Sequence, residues 1–257
     1  MTLEEERLGF REPPDDITRS CLSYMGRIME VREFISFYFT FVKTSQEFGK
    51  IVENSEQKES VSNKALTLTE YNFSKHRQLV NEIMLSRAVE SFDFYILSIL
   101  REIFSARPEI LKSNKKIDIS TLIELRTPEE IIFYLAENQL HELGYKPLKE
   151  LNQWIIDRTG LTLFKNDDIF DLAMLATEVR NLIAHNDCMN NDVIMKRLGD
   201  NFSGLKISEL GKVIITDEFL RKCCYALDGI VFDFDQLASE KFDLYRANRF
   251  GTFFIRE

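Results

Sequence analysis

Histidine is scarce in this 257-residue chain, with three copies, and cysteine has four. His76, His141 and His185 fall in three different segments, and no His-Glu-x-x-His pattern or Cys/His cluster joins them. A dedicated transition-metal site needs several such ligands at set spacings, so no metal or other cofactor is expected. Cys21, Cys188, Cys223 and Cys224 include no pair spaced by two residues, and the adjacent pair would point to different sides of a helix. They read as reduced thiols of a cytoplasmic protein. The ten glycines are scattered, which excludes a glycine-rich phosphate loop. No nucleophile-elbow sequence supports a Ser-His-Asp set.

Long hydrophobic runs are missing as well. Phe34 to Val42, the most apolar stretch, is far short of the ~20 residues that span a bilayer. Met1 to Asp16 is acidic and polar, with no apolar run of signal-peptide length. A soluble, cytoplasmic chain without membrane contact is the expectation. Positive charge is also short: 33 Lys and Arg against 42 Asp and Glu leave a net charge of −9. Each phosphate contact needs a Lys or Arg, so a protein that coats nucleic acid is excluded. Any nucleic-acid function must use a local basic cleft in an acidic body.

What is present is the material of a packed helical protein. Hydrophobic residues make up 44% and charged residues 29%, which excludes disorder as a whole-chain description. Phe has 21 copies against a single Trp, and so many rings call for thick packing layers or a buried subunit contact. At roughly 150 residues per domain, the length suits one large domain, or one with an extension.

Periodicity gives an all-α fold. Asp15 or Asp16 can cap a helix through Cys21, Met25, Ile28, Val31, Ile35 and Phe39 towards Val52. Polar residues from Asn54 to Lys64 predict a loop and a boundary. A second long helix is expected from about Glu70 to Ala106, with a seam of Leu85, Val89, Phe92, Ile96, Ile99 and Ile103. Phe94, Tyr95 and Trp154 read as core alongside it. Pro108 and the run Lys112 to Lys116 end this helix. Thr127-Pro128-Glu129-Glu130 then caps a helix that stops at Gly144, and Pro147 opens another that Gly160 closes. Asn166 or Asp167 caps a helix with the apolar line Ile169, Leu172, Ala176, Val179 and Ile183; Asn186-Asp187 and Asn190-Asn191 mark its end. A short hairpin is admissible around Glu209-Leu210-Gly211, with Val213 to Ile215 as its better strand. Thr216-Asp217-Glu218 caps a last helix through Phe219, Cys223, Ala226 and Ile230. The resulting division is 1–66 as a helical extension, 67–242 as the main helical domain and 243–257 as a tail.

One segment is chemically pointed: Arg180-Asn181-Leu182-Ile183-Ala184-His185, near the end of an amphipathic helix. Asn181 and His185 are four apart and share a face. Arg180 and His185 differ by ~140° on an ideal helix, so Arg180 must reach around or the helix must loosen near Ala184. His76 and His141 read as surface or helix-end residues. Lys75, Arg77 and Arg87 suit either a basic path or a solvated helix face.

The stretch from Glu178 to Asn186 resembles the signature of the HEPN superfamily: Arg, a polar residue, three more positions, then His. The likeness extends more loosely to a long helix before the motif helix and another after it, over about Thr67 to Phe242. It implies a helical bundle that dimerises with two motif helices facing each other, and in many members metal-independent cutting of RNA in toxin, antiphage or RNA-processing settings. The chemistry suits these residues. Attack of a ribose 2′-hydroxyl on the adjacent phosphate needs a base, an acid and a holder for the phosphorane charge. An imidazole, titrating near ~6.5, can be base or acid. A guanidinium offers a permanent fork of donors for phosphate oxygens. The resemblance thus implies His185 as general acid/base, Arg180 as phosphate clamp and Asn181 as the residue that orients His185 or the phosphate. Glu178, just before Arg180 and one turn before Asn181, is placed to steady either side chain. One chain supplies one such His, and a homodimer would supply two. RNA is then the expected substrate, and an antitoxin or defence-system protein a further partner. One branch of the family has a Tyr two residues after the His, which a partner antitoxin modifies; Asp187 stands there in this chain, which puts that control in doubt and adds negative charge where RNA would lie. Two readings stand beside this one: a non-catalytic helical dimer that binds RNA, a nucleotide or a protein partner, and a scaffold in which Arg180 forms a salt bridge and His185 caps its helix.

Overall fold

A computed structural model describes residues 11–53, 63–113, 117–189 and 205–248; at 46, 48–53 and 63–75 it describes the backbone alone. Among the described residues there are seven α-helices and two small two-stranded sheets. In chain order they are β1 (Asp16–Thr18), α1 (Arg19–Glu53), α2 (Asn63–Ala106), α3 (Ile119–Glu124), α4 (Pro128–Gly144), α5 (Leu148–Thr159), α6 (Asp167–Asn186), β2 (Lys206–Ile207), β3 (Val213–Ile214), α7 (Asp217–Phe242) and β4 (Arg246–Asn248). The fold is all-α with a small hairpin, as the periodicity predicts. No helix among the described residues is long and apolar enough to cross a membrane.

The long helix α2 is the axis of the molecule. Its 44 residues extend for ~66 Å at 1.5 Å per residue. Every position of its predicted seam, from Leu85 to Ile103, is 0–1% exposed. Burial of each such side chain contributes ~1.5–3 kcal/mol. Around it pack α1, α4, α6 and α7. The contacts Ser20–Glu102 and Arg27–Phe94 set α1 antiparallel to α2. Arg77–Asp217 and Tyr95–Asp235 set α7 parallel to it. Ile17, Cys21, Tyr24, Met25, Ile28 and Val31, at the start of the chain, belong to the same core as α2 and α7.

Two buried aspartates on α7 tie these layers with polar bonds. Asp228 accepts from the Tyr24 hydroxyl at 2.8 Å and from the Arg11 backbone N–H at 3.4 Å, and it pairs with Arg32. Asp235 accepts from the Thr18 backbone N–H at 3.0 Å and from the Tyr95 hydroxyl at 3.3 Å. Buried polar atoms need such partners, and each carboxylate here joins α7 to two other parts of the chain.

Local signals set most helix ends. Thr127 and Glu130 exchange side-chain and backbone bonds in a capping box, and Pro128 takes the first helical position of α4. Asn166 accepts from the Ile169 N–H at 2.9 Å and Thr216 from the Phe219 N–H at 3.1 Å. Gly160 closes α5 at φ 63°, a left-handed conformation that suits glycine.

Three expectations are corrected. Asp15 and Asp16 do not cap α1, because Asp16–Thr18 pairs with Arg246–Asn248 as a strand; Thr18 accepts from the Cys21 N–H at 3.1 Å instead. The loop expected at 54–64 lies outside the described residues for 54–62, and α2 already starts at Asn63, seven residues before Glu70. Phe94 is not core: it is 40% exposed, with the Arg27 guanidinium 3.9 Å from its ring centroid. Trp154 is partly buried and meets Phe104 edge to face at 5.9 Å. Asn190, Asn191 and most of the 243–257 tail, from 249 onward, lie outside the described residues.

Candidate active site

The motif helix α6 is regular through His185, so nothing loosens near Ala184. Arg180 instead reaches around. Val179 and Leu182 are fully buried against the bundle, which leaves Arg180, Asn181 and His185 on the flank. All three line one cleft of about 400 Å³, within the range of small-ligand sites. Asp93 of α2, Lys146 and Glu178 line it with them. Leu97, Leu151 and Met174 supply its apolar lining.

Arg180 is held in place by α2. Its Nη2 donates to Asp93 Oδ2 at 2.7 Å, while its Nε is buried without a hydrogen-bond partner. A quarter of the side chain stays exposed. Burial pushes the Asp93 carboxyl above the ordinary carboxylate range, and the Arg180 charge pulls it back. The Asp93 side chain keeps 42% exposure, so nearby protein rather than full enclosure raises it. The salt bridge foreseen as a structural role for Arg180 therefore exists, and it also fixes the guanidinium at the edge of the cleft.

His185 stands exposed in the last turn of α6, where a helix dipole favours positive charge. The helix ends just beyond it in two successive left-handed residues, Asp187 at φ 47° and Cys188 at φ 59°. Left-handed Cys is uncommon and persists only where surroundings impose it. Here the hairpin does so. The Val213 N–H donates to Cys188 O at 2.9 Å, the Cys188 N–H donates to Leu182 O at 3.1 Å, and Asn186 Nδ2 donates to Met189 O at 2.9 Å. Lys212 pairs with both Asp187, at 3.3 Å, and Glu82, at 3.5 Å. The negative charge of Asp187, which would oppose RNA, is thus partnered. The end of α6 that carries His185 is pinned by α2 and by β2–β3.

The other candidates do not join this site. His76 is exposed on α2, and His141 is exposed near the end of α4, its ring 5.0 Å from that of Tyr145. Arg77 pairs with Asp217, and Arg87 with Glu90 at 3.7 Å. Lys75 lies where only backbone is described. All four thiols are buried and unpaired with one another. Burial first, then Glu82, pushes the Cys188 thiol up to about 12, and burial raises the other three, which removes thiolate nucleophiles near neutral pH. Among the described residues no group of three or more His, Cys, Asp and Glu is placed to hold a metal ion.

Two charged members of the cleft, Asp93 and Lys146, were not foreseen from the sequence. Asp93 sits between Phe92 and Phe94, beside the apolar seam, and a lone carboxylate there is the signal that was available. Lys146 sits in the short turn between Gly144 and Pro147 and carries no sequence signal. Compared with family models, with curated proteins and with solved structures, the chain matches none, so its own residues carry the reading of this cleft.

Proposed function

We propose that the chain is a metal-independent endoribonuclease of the HEPN kind, acting at the cleft that holds Arg180, Asn181 and His185. The observation that carries this reading is the convergence of three side chains, two of them ~140° apart on the helix, on one cleft where Arg180 is braced by Asp93. In the reaction, the His185 imidazole takes the proton of a ribose 2′-hydroxyl. The 2′-oxygen then attacks phosphorus, the P–O5′ bond breaks, and the leaving oxygen takes a proton. The products are a 2′,3′-cyclic phosphate and a 5′-hydroxyl. A homodimer supplies the acid from the His185 of a second copy. Arg180 and Lys146 hold phosphate oxygens, and Asn181 orients the imidazole or the phosphate by hydrogen bonding. A toxin or antiphage role with a controlling partner protein is the setting that the resemblance implies.

The test is cleavage of total RNA and a labelled tRNA in excess chelator. His185→Ala should lower the rate at least ~10²-fold, the usual size of general acid–base help. Arg180→Ala should cost a comparable factor through lost charge stabilisation. Both variants should remain folded. Cutting that survives either change overturns the proposal. The Asp93–Arg180 pair favours one second reading, a non-catalytic cleft that binds RNA, a nucleotide or a protein partner, because it neutralises part of the charge a phosphorane would need. Tight binding with no cutting under any ionic condition would select it.

A further inference from the structure

The cleft beside Arg180 does not end at its rim. Leu97, Gly144 and Tyr145 line it and also line a second hollow of about 760 Å³, whose wall includes Arg101, Asn138 and His141. The two hollows adjoin at the end of α4, and Tyr145 lines both. Tyr145 is the C-cap residue of α4, and its backbone N–H bonds back to Glu142 O and Leu143 O. Its side chain is 79% exposed, yet the ring is not loose in space: His141, one turn earlier, meets it at 5.0 Å and 67°. The next residue, Lys146, lines the Arg180 side of the groove. Its ammonium lies 3.3 Å from Glu150, an exposed one-turn pair that competes weakly with a phosphate. In the second hollow, Arg101 is engaged by Glu137 through two bonds, at 2.6 and 3.0 Å, so that side carries little free positive charge. Phosphate recognition therefore belongs to the Arg180 side, and a flat apolar group fits the ring between the two hollows.

We infer that this groove is a track for single-stranded RNA, in which Tyr145 stacks on the base of the nucleotide next to the one cut and Lys146 takes the phosphate between them. This rests on the ribonuclease reading of the cleft. A base can lie on the Tyr145 face only when it is unstacked from a duplex, so single strands are the substrate class. Because every base has a π-face, the platform tolerates any sequence. His141 sets the plane of the ring from its edge and makes no contact with RNA.

The test uses the full chain carrying His185→Ala, so that RNA stays uncut, with fluorescently labelled oligouridine as probe and a duplex RNA for comparison. Adding Tyr145→Ala should weaken single-strand binding by about tenfold, while Tyr145→Phe stays within about twofold, as loss and retention of one stacking partner require. The duplex should bind more weakly and be indifferent to both changes. So exposed a side chain leaves the melting temperature unmoved. In the chain that keeps His185, Tyr145→Ala should raise KM for cleavage and leave kcat nearly unchanged. The inference is overturned if Tyr145→Ala binds like its parent, if Phe fails to replace Tyr, if the duplex binds as well as the single strand, or if oligouridine does not bind. Cleavage that needs His185 beside Tyr145-indifferent binding would overturn the platform and leave the ribonuclease reading standing. Tyr145-dependent binding without cleavage would do the reverse.

Discussion

Arg180 is tied by one nitrogen to Asp93 and lines the cleft with a quarter of its side chain exposed, and that arrangement has consequences at the scale of single residues. A guanidinium held by a carboxylate on another helix is pre-positioned, and position competes with bare charge in what it gives a transition state. Asp93→Ala removes the brace and leaves the positive charge. If position dominates, kcat falls by ~10–100-fold although the cleft has become more positive, since small misplacements of a clamp cost about that much. Steady-state kinetics of Asp93→Ala beside Arg180→Ala checks this: a rate that rises on losing Asp93 would show that the pair restrains the site. Asp187 illustrates the same lesson with opposite sign. From sequence it is an acid where RNA would lie; in the fold Lys212 partners it.

At the scale of elements, most of the molecule was legible. Caps and stop signals are local chemistry, so Thr127-Pro128-Glu129-Glu130, Asn166 and Thr216 all act where their spacing says they should. The α2 seam was legible because six apolar residues at threes and fours leave one way to be buried. What failed was non-local. The Asp15–Asp16 cap was displaced by a strand partner more than two hundred residues away, and Phe94 lies off the α2 seam with its ring against Arg27 of another helix. The two aspartates that α7 buries, Asp228 and Asp235, were equally invisible, because their partners come from the chain's first hundred residues. The motif residues themselves were legible, whereas the Asp93 brace and the turn that carries Lys146 were not. Capping offers the cleanest element-scale check. Thr127→Ala deletes one half of the box at the head of α4 and should lower unfolding free energy by ~1 kcal/mol, measured in denaturant. Since α4 only borders the cleft, cleavage should persist; an unchanged stability would mean the box is decorative.

At the scale of the whole molecule, the core is sensitive to pH through Asp228. Burial raises its carboxyl from the ordinary 3.8 to about 6, with Arg32 and Tyr24 pulling the other way. A carboxylate whose folded pKa is raised holds its proton more tightly when folded, so its contribution to stability is present in full below about 4 and lost as pH rises to about 6. Two units correspond to ~3 kcal/mol. Asp228→Asn carries no such titration. Unfolding free energies of both proteins across this window should therefore converge or cross in favour of Asn as pH rises. Parallel curves would contradict the assignment. The same global view explains how a chain of net charge −9 can be read as an RNA enzyme. Its positive groups need only converge locally, and Arg180 and Lys146 do so on one cleft.

The most direct measurement is therefore the end group left on a labelled tRNA after incubation with the wild-type chain in excess EDTA, beside His185→Ala. The account predicts 2′,3′-cyclic phosphate ends from the wild type and intact RNA from the variant. Intact RNA from both, or the same ends from both, would contradict it.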